Sequence, residues 1–135
     1  MSPEVIARKL AFLQTCREDL SAYASAGRTR ENHYAVERLV QLIVECMCDV
    51  ISRWLAIRGV QHPDTYSELF QEAAERKLLP GPLADRLVTA ARMRNLPVHV
   101  YERIDVGIVC EAVPQLLKDA SEFITCVESG LTGAA

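Results

Sequence analysis

The sequence has no long hydrophobic run. Its most apolar stretch, VQLIVECMCDVI, is broken by Glu45 and Asp49 and falls well short of the roughly 20 residues that a membrane-spanning helix needs. No membrane association is therefore expected. The N-terminal stretch MSPEVIARKLAFLQTCREDL places Glu4, Arg8 and Lys9 where a secretory leader requires an unbroken apolar segment, and no small-residue cleavage site follows. The expected location is the cytoplasm. Glycine and proline are scarce, six of each in 135 residues, which excludes a loop-rich or low-complexity chain. Cysteines lack any framework spacing. Cys16, Cys46, Cys48, Cys110 and Cys126 are odd in number, which argues against a secreted disulfide scaffold. No pair of ligands stands at zinc-finger or ribbon spacing, so no metal and no other cofactor is expected.

Neither sign of charge dominates. Fifteen basic residues stand against eighteen acidic ones, a net charge of −3, which does not advertise a nucleic-acid binder. The total hides an asymmetry. Residues 86–103 hold Arg86, Arg92, Arg94 and Arg103 against Glu102, a local +3 that leaves −6 for the rest. Charge alone reads this as one solvated helix face.

What is present is helix. Half of the residues are apolar and a quarter charged, the composition of one folded domain with a real core, expected over residues 1–129 with a flexible tail over 130–135. A first helix starts after Ser2 and Pro3, carries Ile6, Leu10, Leu13, Leu20, Tyr23 and Ala24 on one stripe, and ends at Gly27. A second carries Val36, Leu39, Val40, Ile43, Met47, Val50, Ile51, Trp54 and Leu55 at helical spacing and stops at Gly59. Asp64 or Thr65 caps a short third helix with Leu69, Phe70 and Ala73. Leu79-Pro80-Gly81-Pro82 is a break, a fourth helix spans about 82–95, and Pro97 stops it. A fifth begins near 101 or 104 and ends at Val127 with Ile108, Ala112, Leu116, Ala120, Phe123 and Ile124 on its stripe, and Pro114 is a candidate kink. No alternating segment suggests a strand. The expected fold is all-α, a single-domain antiparallel bundle of about five helices.

The fourth helix ends unusually. Leu83, Leu87, Ala90 and Arg94 share one face, so an arginine takes a place where the pattern expects an apolar side chain. On its own such a residue reads as a helix-end arginine reaching solvent or capping carbonyls. Asn95 reads equally well as a C-cap or as a polar group that orients a neighbour. His99 follows, then Tyr101, in the string Arg94-Asn95-Leu96-Pro97-Val98-His99-Val100-Tyr101. A permanent cation, a titratable imidazole and a phenol thus surround one break in a helical chain. Glu45 and Asp49, four apart on the second helix, read as a polar edge, with pairing to arginines near a cleft as the other option. Lys9, Arg17, Arg28, Arg30 and Arg38 read as solvated surface. His33 and His62 fall in loop or cap positions with nothing to connect them to the string.

RNLPVHVY resembles the R-x-x-x-x-H-x-Y signature of the HEPN ribonucleases, in the form R-N-x-x-V-H-x-Y of the HepT toxins. Tyr34-Ala35-Val36-Glu37-Arg38-Leu39 with Ile43-Val44-Glu45, then Pro63-Asp64-Thr65-Tyr66 with Phe70, then Tyr101-Glu102-Arg103-Ile104-Asp105, are similar to further segments of that family in the same order. The likeness covers about residues 5–127, and Pro97 falls at a variable position of the signature. The resemblance implies a metal-independent endoribonuclease with Arg94 and His99 as its catalytic pair, and with Asn95 and Tyr101 in support or in contact with substrate. It implies a homodimer in which two copies of the signature face one cleft, and an RNA substrate. It further implies the toxin role in a type II toxin–antitoxin pair, with a minimal nucleotidyltransferase of the MntA kind as the antitoxin, attaching AMP to Tyr101. The alternative within the family is a non-catalytic module that binds nucleotides or a partner.

Overall fold

In the computed structural model the described residues of the chain form five helices, α1 (Pro3–Ser25), α2 (Arg30–Ile57), α3 (Tyr66–Glu75), α4 (Gly81–Asn95) and α5 (Val106–Thr132). The described residues are 3–27, 29–61, 63, 65–95 and 106–132, without the side chains of 3, 93–95, 106–110 and 132. Among them no strand occurs, as the unbroken helical periodicity predicts.

Local chemistry sets the helix ends. Gly27 and Gly59 adopt φ of +101° and +78° just beyond α1 and α2, a region that costs glycine little because it has no Cβ. Thr65 is the N-cap of α3, its hydroxyl accepting the backbone N–H of Glu68 at 3.1 Å. Thr29 does the same for α2 through Asn32 N–H at 3.1 Å. The helix therefore begins six residues before Val36, where the apolar stripe starts. α3 closes through Lys77 at φ +60°, with Lys77 N–H donating to Ala74 O and Leu78 N–H to Ala73 O.

α2 is the axis of the molecule. It packs on each of the other four helices, whereas α1 meets only α2 and α5 among the described residues. That placement explains its burial. From Ile43 to Leu55 the residues Ile43, Val44, Cys46, Met47, Cys48, Val50, Ile51, Trp54 and Leu55 are buried, covering almost every face. A helix with partners all round must be apolar all round. Cys46 and Cys48 point in different directions, as their spacing requires, yet both are buried, and Cys16 and Cys126 are likewise free thiols.

The remaining core is supplied by Ile6, Leu10, Leu13, Cys16 and Leu20 of α1, Leu69, Phe70 and Ala73 of α3, Leu83, Ala84, Leu87, Val88 and Ala91 of α4, and Val113, Leu116, Ala120, Phe123, Ile124 and Val127 of α5. Each fully buried large side chain contributes roughly 1.5–3 kcal/mol. Three expectations need correction. The α1 stripe ends at Leu20, for Tyr23 is 44% exposed and Ala24 exposed, beyond the reach of α5. α5 continues past Val127 to Thr132, because Gly130 lies directly against the indole of Trp54 and Leu131 is half-buried on the core. The stretch 130–132, expected in the tail, is therefore helical. Lys9 is not simply solvated, since its ammonium pairs with Asp49 at 2.6 Å across the α1–α2 contact.

Candidate active site at the end of α4

α4 and α5 run antiparallel, so the last turn of α4 and the first turn of α5 lie on the same side of their contact. The buried stripe of α4 runs Leu83, Ala84, Leu87, Val88 and Ala91. Ala90 is half-buried beside it. Ala84 and Ala91 are buried in this chain's own core. Arg94 and Asn95 stand three and four residues beyond Ala91, in register with that stripe, and Asn95 is the last residue of α4. His99 and Tyr101 lie outside the described residues, between Asn95 and Val106. The backbone thus places the first two signature residues at a helix C-terminus, where the partial negative charge of the final carbonyls favours Arg92 and Arg94 in the last turn.

Of the four arginines of residues 86–103, the side chains of Arg86 and Arg92 are described. Arg86 is held by α5. Its Nε donates to Asp119 Oδ1 at 2.8 Å and one terminal nitrogen to Glu122 Oε2 at 3.0 Å. Gln115 Nε2 donates to the same Asp119 oxygen at 3.0 Å. Asp119 is the one buried charged residue among those described, 4% exposed. The hydrogen bond that Arg86 donates to Asp119, then the nearby negative charges, raise the Arg86 pKa above its usual value. Arg92 is exposed. The sequence reading missed the clamp, although Arg86 and Asp119 were both visible, because nothing in one sequence pairs residues 33 apart.

The other polar candidates lie elsewhere. Asp49 accepts Lys9 and, at 3.2 Å, Arg53 Nε, cations supplied by α1 and by its own helix. His33 stands inside the first turns of α2, not in a loop, and its Nε2 is shielded from solvent without a hydrogen-bond partner. His62 lies outside the described residues. Among the described residues no group of His, Cys, Asp and Glu is arranged to hold a metal ion, and no helix is long and apolar enough to cross a membrane.

Comparison with known proteins agrees with this geometry. The chain is 22% identical over 130 residues to the mRNA nuclease HepT of Shewanella oneidensis, covering 93% of this chain and 98% of that protein. It is 28% identical over 129 residues to the tRNA nuclease HepT of Aphanizomenon flos-aquae, covering 95% and 86%. Its fold superposes with a TM-score of 0.85 on the tri-AMPylated HEPN toxin of Shewanella oneidensis solved in complex with its MNT antitoxin, at 22% identity and with 96% and 99% of the two chains covered. It also matches YutE of Bacillus subtilis, a cytosolic protein of unknown function, at a TM-score of 0.84 and 18% identity over 97% and 91% of the chains. The family model for HepT-like ribonucleases matches residues 6–127. That span takes in α2, α3 and α4, most of α1 and α5, and the whole arginine-to-tyrosine string, and the chain belongs to the HepT-like ribonuclease family.

Proposed function

We propose that this chain is an endoribonuclease that works without a metal ion, the toxin of a type II toxin–antitoxin pair, silenced by a nucleotidyltransferase that transfers AMP to Tyr101. The observation that carries the reading is the complete string Arg94-Asn95-Leu96-Pro97-Val98-His99-Val100-Tyr101, opening at the end of α4 inside the matched span. Two relatives named as nucleases and a solved toxin bearing AMP groups beside its antitoxin support it.

The chemistry needs few groups. RNA brings its own nucleophile, the 2′-OH next to each phosphodiester. A base removes that proton, the 2′ oxygen bonds to phosphorus, the bond to the 5′ oxygen breaks, and an acid returns a proton to it. An imidazole, which ordinarily titrates at about pH 6.5, suits either proton task near neutral pH, so His99 takes one of them, and a positioned acid or base contributes roughly 10²–10⁴-fold. Arg94 stays charged throughout and offers a planar fork of donors to the phosphate as negative charge builds on it. Asn95 holds His99 or a phosphate oxygen through its amide. One imidazole cannot serve both proton steps at once, so the site is completed by a second copy of the chain in a homodimer. The dimer also gathers two arginine-rich segments at one cleft, which draws RNA to a protein of net charge −3.

Silencing follows the same charge rules. Transfer of AMP from ATP to the Tyr101 oxygen releases pyrophosphate and leaves a phosphodiester anion beside Arg94, occupying the place of the RNA phosphate.

The test is cleavage of RNA, and not DNA of the same sequence, by purified protein in excess chelator. Arg94→Ala and His99→Ala are expected to lower the rate by about 100-fold or more. Tyr101→Phe is expected to abolish label transfer from α-labelled ATP by the cognate nucleotidyltransferase. Protein that binds that partner but never cuts RNA at any concentration overturns the nuclease reading in favour of a binding module.

A further inference from the structure

Arg94 stands on one helix and the rest of the signature leads into another, so the chemistry depends on how α4 and α5 are set against each other. Their mutual contact is among the thinnest in the bundle, far less extensive than that of α1 with α2. Across it lies the only buried charge among the described residues, Asp119. Its Oδ1 receives Arg86 Nε from α4 and Gln115 Nε2 from its own helix, while Arg86 also reaches Glu122. A buried carboxylate tolerates only an arrangement that brings a cation to it. Sliding α4 by one turn along α5 would leave Asp119 unpaired in the core. Buried apolar side chains of the two helices, such as Leu83, Leu87 and Ala91 of α4 and Leu116 and Ala120 of α5, discriminate less sharply between such registers.

We propose that Arg86, Asp119 and Gln115 are positioning residues for catalysis, a clamp that fixes the axial register of α4 on α5 and thereby presents Arg94 and Asn95 to the segment that carries His99 and Tyr101. This rests on the nuclease reading above and deepens it. Arg86 is eight residues before Arg94 on the same helix and touches none of the signature residues that are described. Its part is to set their spacing, and misplacement by about 1 Å is enough to cost roughly 100-fold in rate.

The test separates register from stability. Replacing a buried ion pair by apolar side chains of similar size commonly leaves a fold as stable as before. Arg86→Met/Asp119→Leu is therefore expected to unfold within a few degrees of wild type, yet to lower kcat by about 10- to 100-fold with KM little changed. Arg86→Lys, which keeps a cation on Asp119, is expected to restore most of the rate. The imidazole resonances of the three histidines report the geometry without any assay. In the double variant the His99 titration shifts, whereas those of His33 and His62 stay in place. A double variant with unchanged kcat and an unmoved His99 titration overturns the clamp. Wild-type protein that never cuts RNA sinks the nuclease reading instead, and the His99 titration then still decides whether the clamp sets the register.

Discussion

Asp49 lies between two cations drawn from two helices, with Lys9 at 2.6 Å from α1 and Arg53 at 3.2 Å one turn along α2. Partial burial works to raise its pKa, but the Lys9 hydrogen bond and charge, followed by Arg53, bring it below the ordinary carboxylate value. A depressed folded-state pKa adds stability at pH values above the unfolded value of 3.8 and loses it as pH falls through the folded value. Asp49 is 42% exposed and Lys9 30%, so screening limits the contribution to less than about 1 kcal/mol. Asp49→Asn is expected to be slightly less stable than wild type in urea melts near neutral pH, with the difference vanishing as acid takes the pH below the lowered folded-state value. Nearby Cys46 donates its thiol to Lys9 O at 3.3 Å, and burial, against the pull of Lys9, pushes its pKa up to about 11. It is expected to resist thiol reagents at about pH 8 in the folded protein and to react at once in denaturant. Equal labelling in both states would show that the α1–α2 contact opens freely.

At the scale of the helix, most of the fold was legible because amphipathic periodicity is local information. The stripes on α2, α3 and α5 and the glycines at 27 and 59 read directly from the chain. What escaped is what neighbours decide. Tyr23 continues the α1 stripe by spacing, but no helix covers it. Lys77 turns the chain with a positive φ that its residue type does not announce, while attention falls on the prolines three and five residues later. Gly130 looks like the end of a helix and is instead a close-contact residue, because any β-carbon there would collide with the Trp54 ring. Gly130→Ala is therefore expected to destabilise by about 1–3 kcal/mol in chemical denaturation, despite alanine's higher helix propensity. A neutral or stabilising result would mean that the indole swings away. Thr65→Ala removes the α3 cap and is expected to cost about 1 kcal/mol, with Thr65→Ser recovering it.

For the molecule as a whole, the candidate site was legible in a different way. Arg94, Asn95, His99 and Tyr101 stand out as a string of residue types, and the string is read through family likeness rather than through periodicity. The structure adds where the string starts, at the end of α4. The clamp beneath it was not legible, since Arg86 and Asp119 are distant in the chain and join only when α4 packs on α5. The proposed dimer makes a whole-molecule prediction. Light scattering is expected to return about twice the 15.0 kDa mass of the chain, and mixing Arg94→Ala with His99→Ala protein is expected to recover part of the activity if each dimer cleft draws on both copies. A monomer with full activity would remove the second copy from the chemistry. Because the attraction for RNA is electrostatic, binding should weaken steeply as salt is raised.

α2 touches every other described helix, yet it precedes three of them in the chain. Until α5 follows, the apolar residues from Ile43 to Leu55 lack one wall, and α1 lacks one of its two neighbours. The arginine-to-tyrosine string is translated before that last wall exists. A chain cut short before α5 would carry the arginine-to-tyrosine string on a scaffold that lacks one wall of its core. Such incomplete chains are expected to be degraded quickly by proteases.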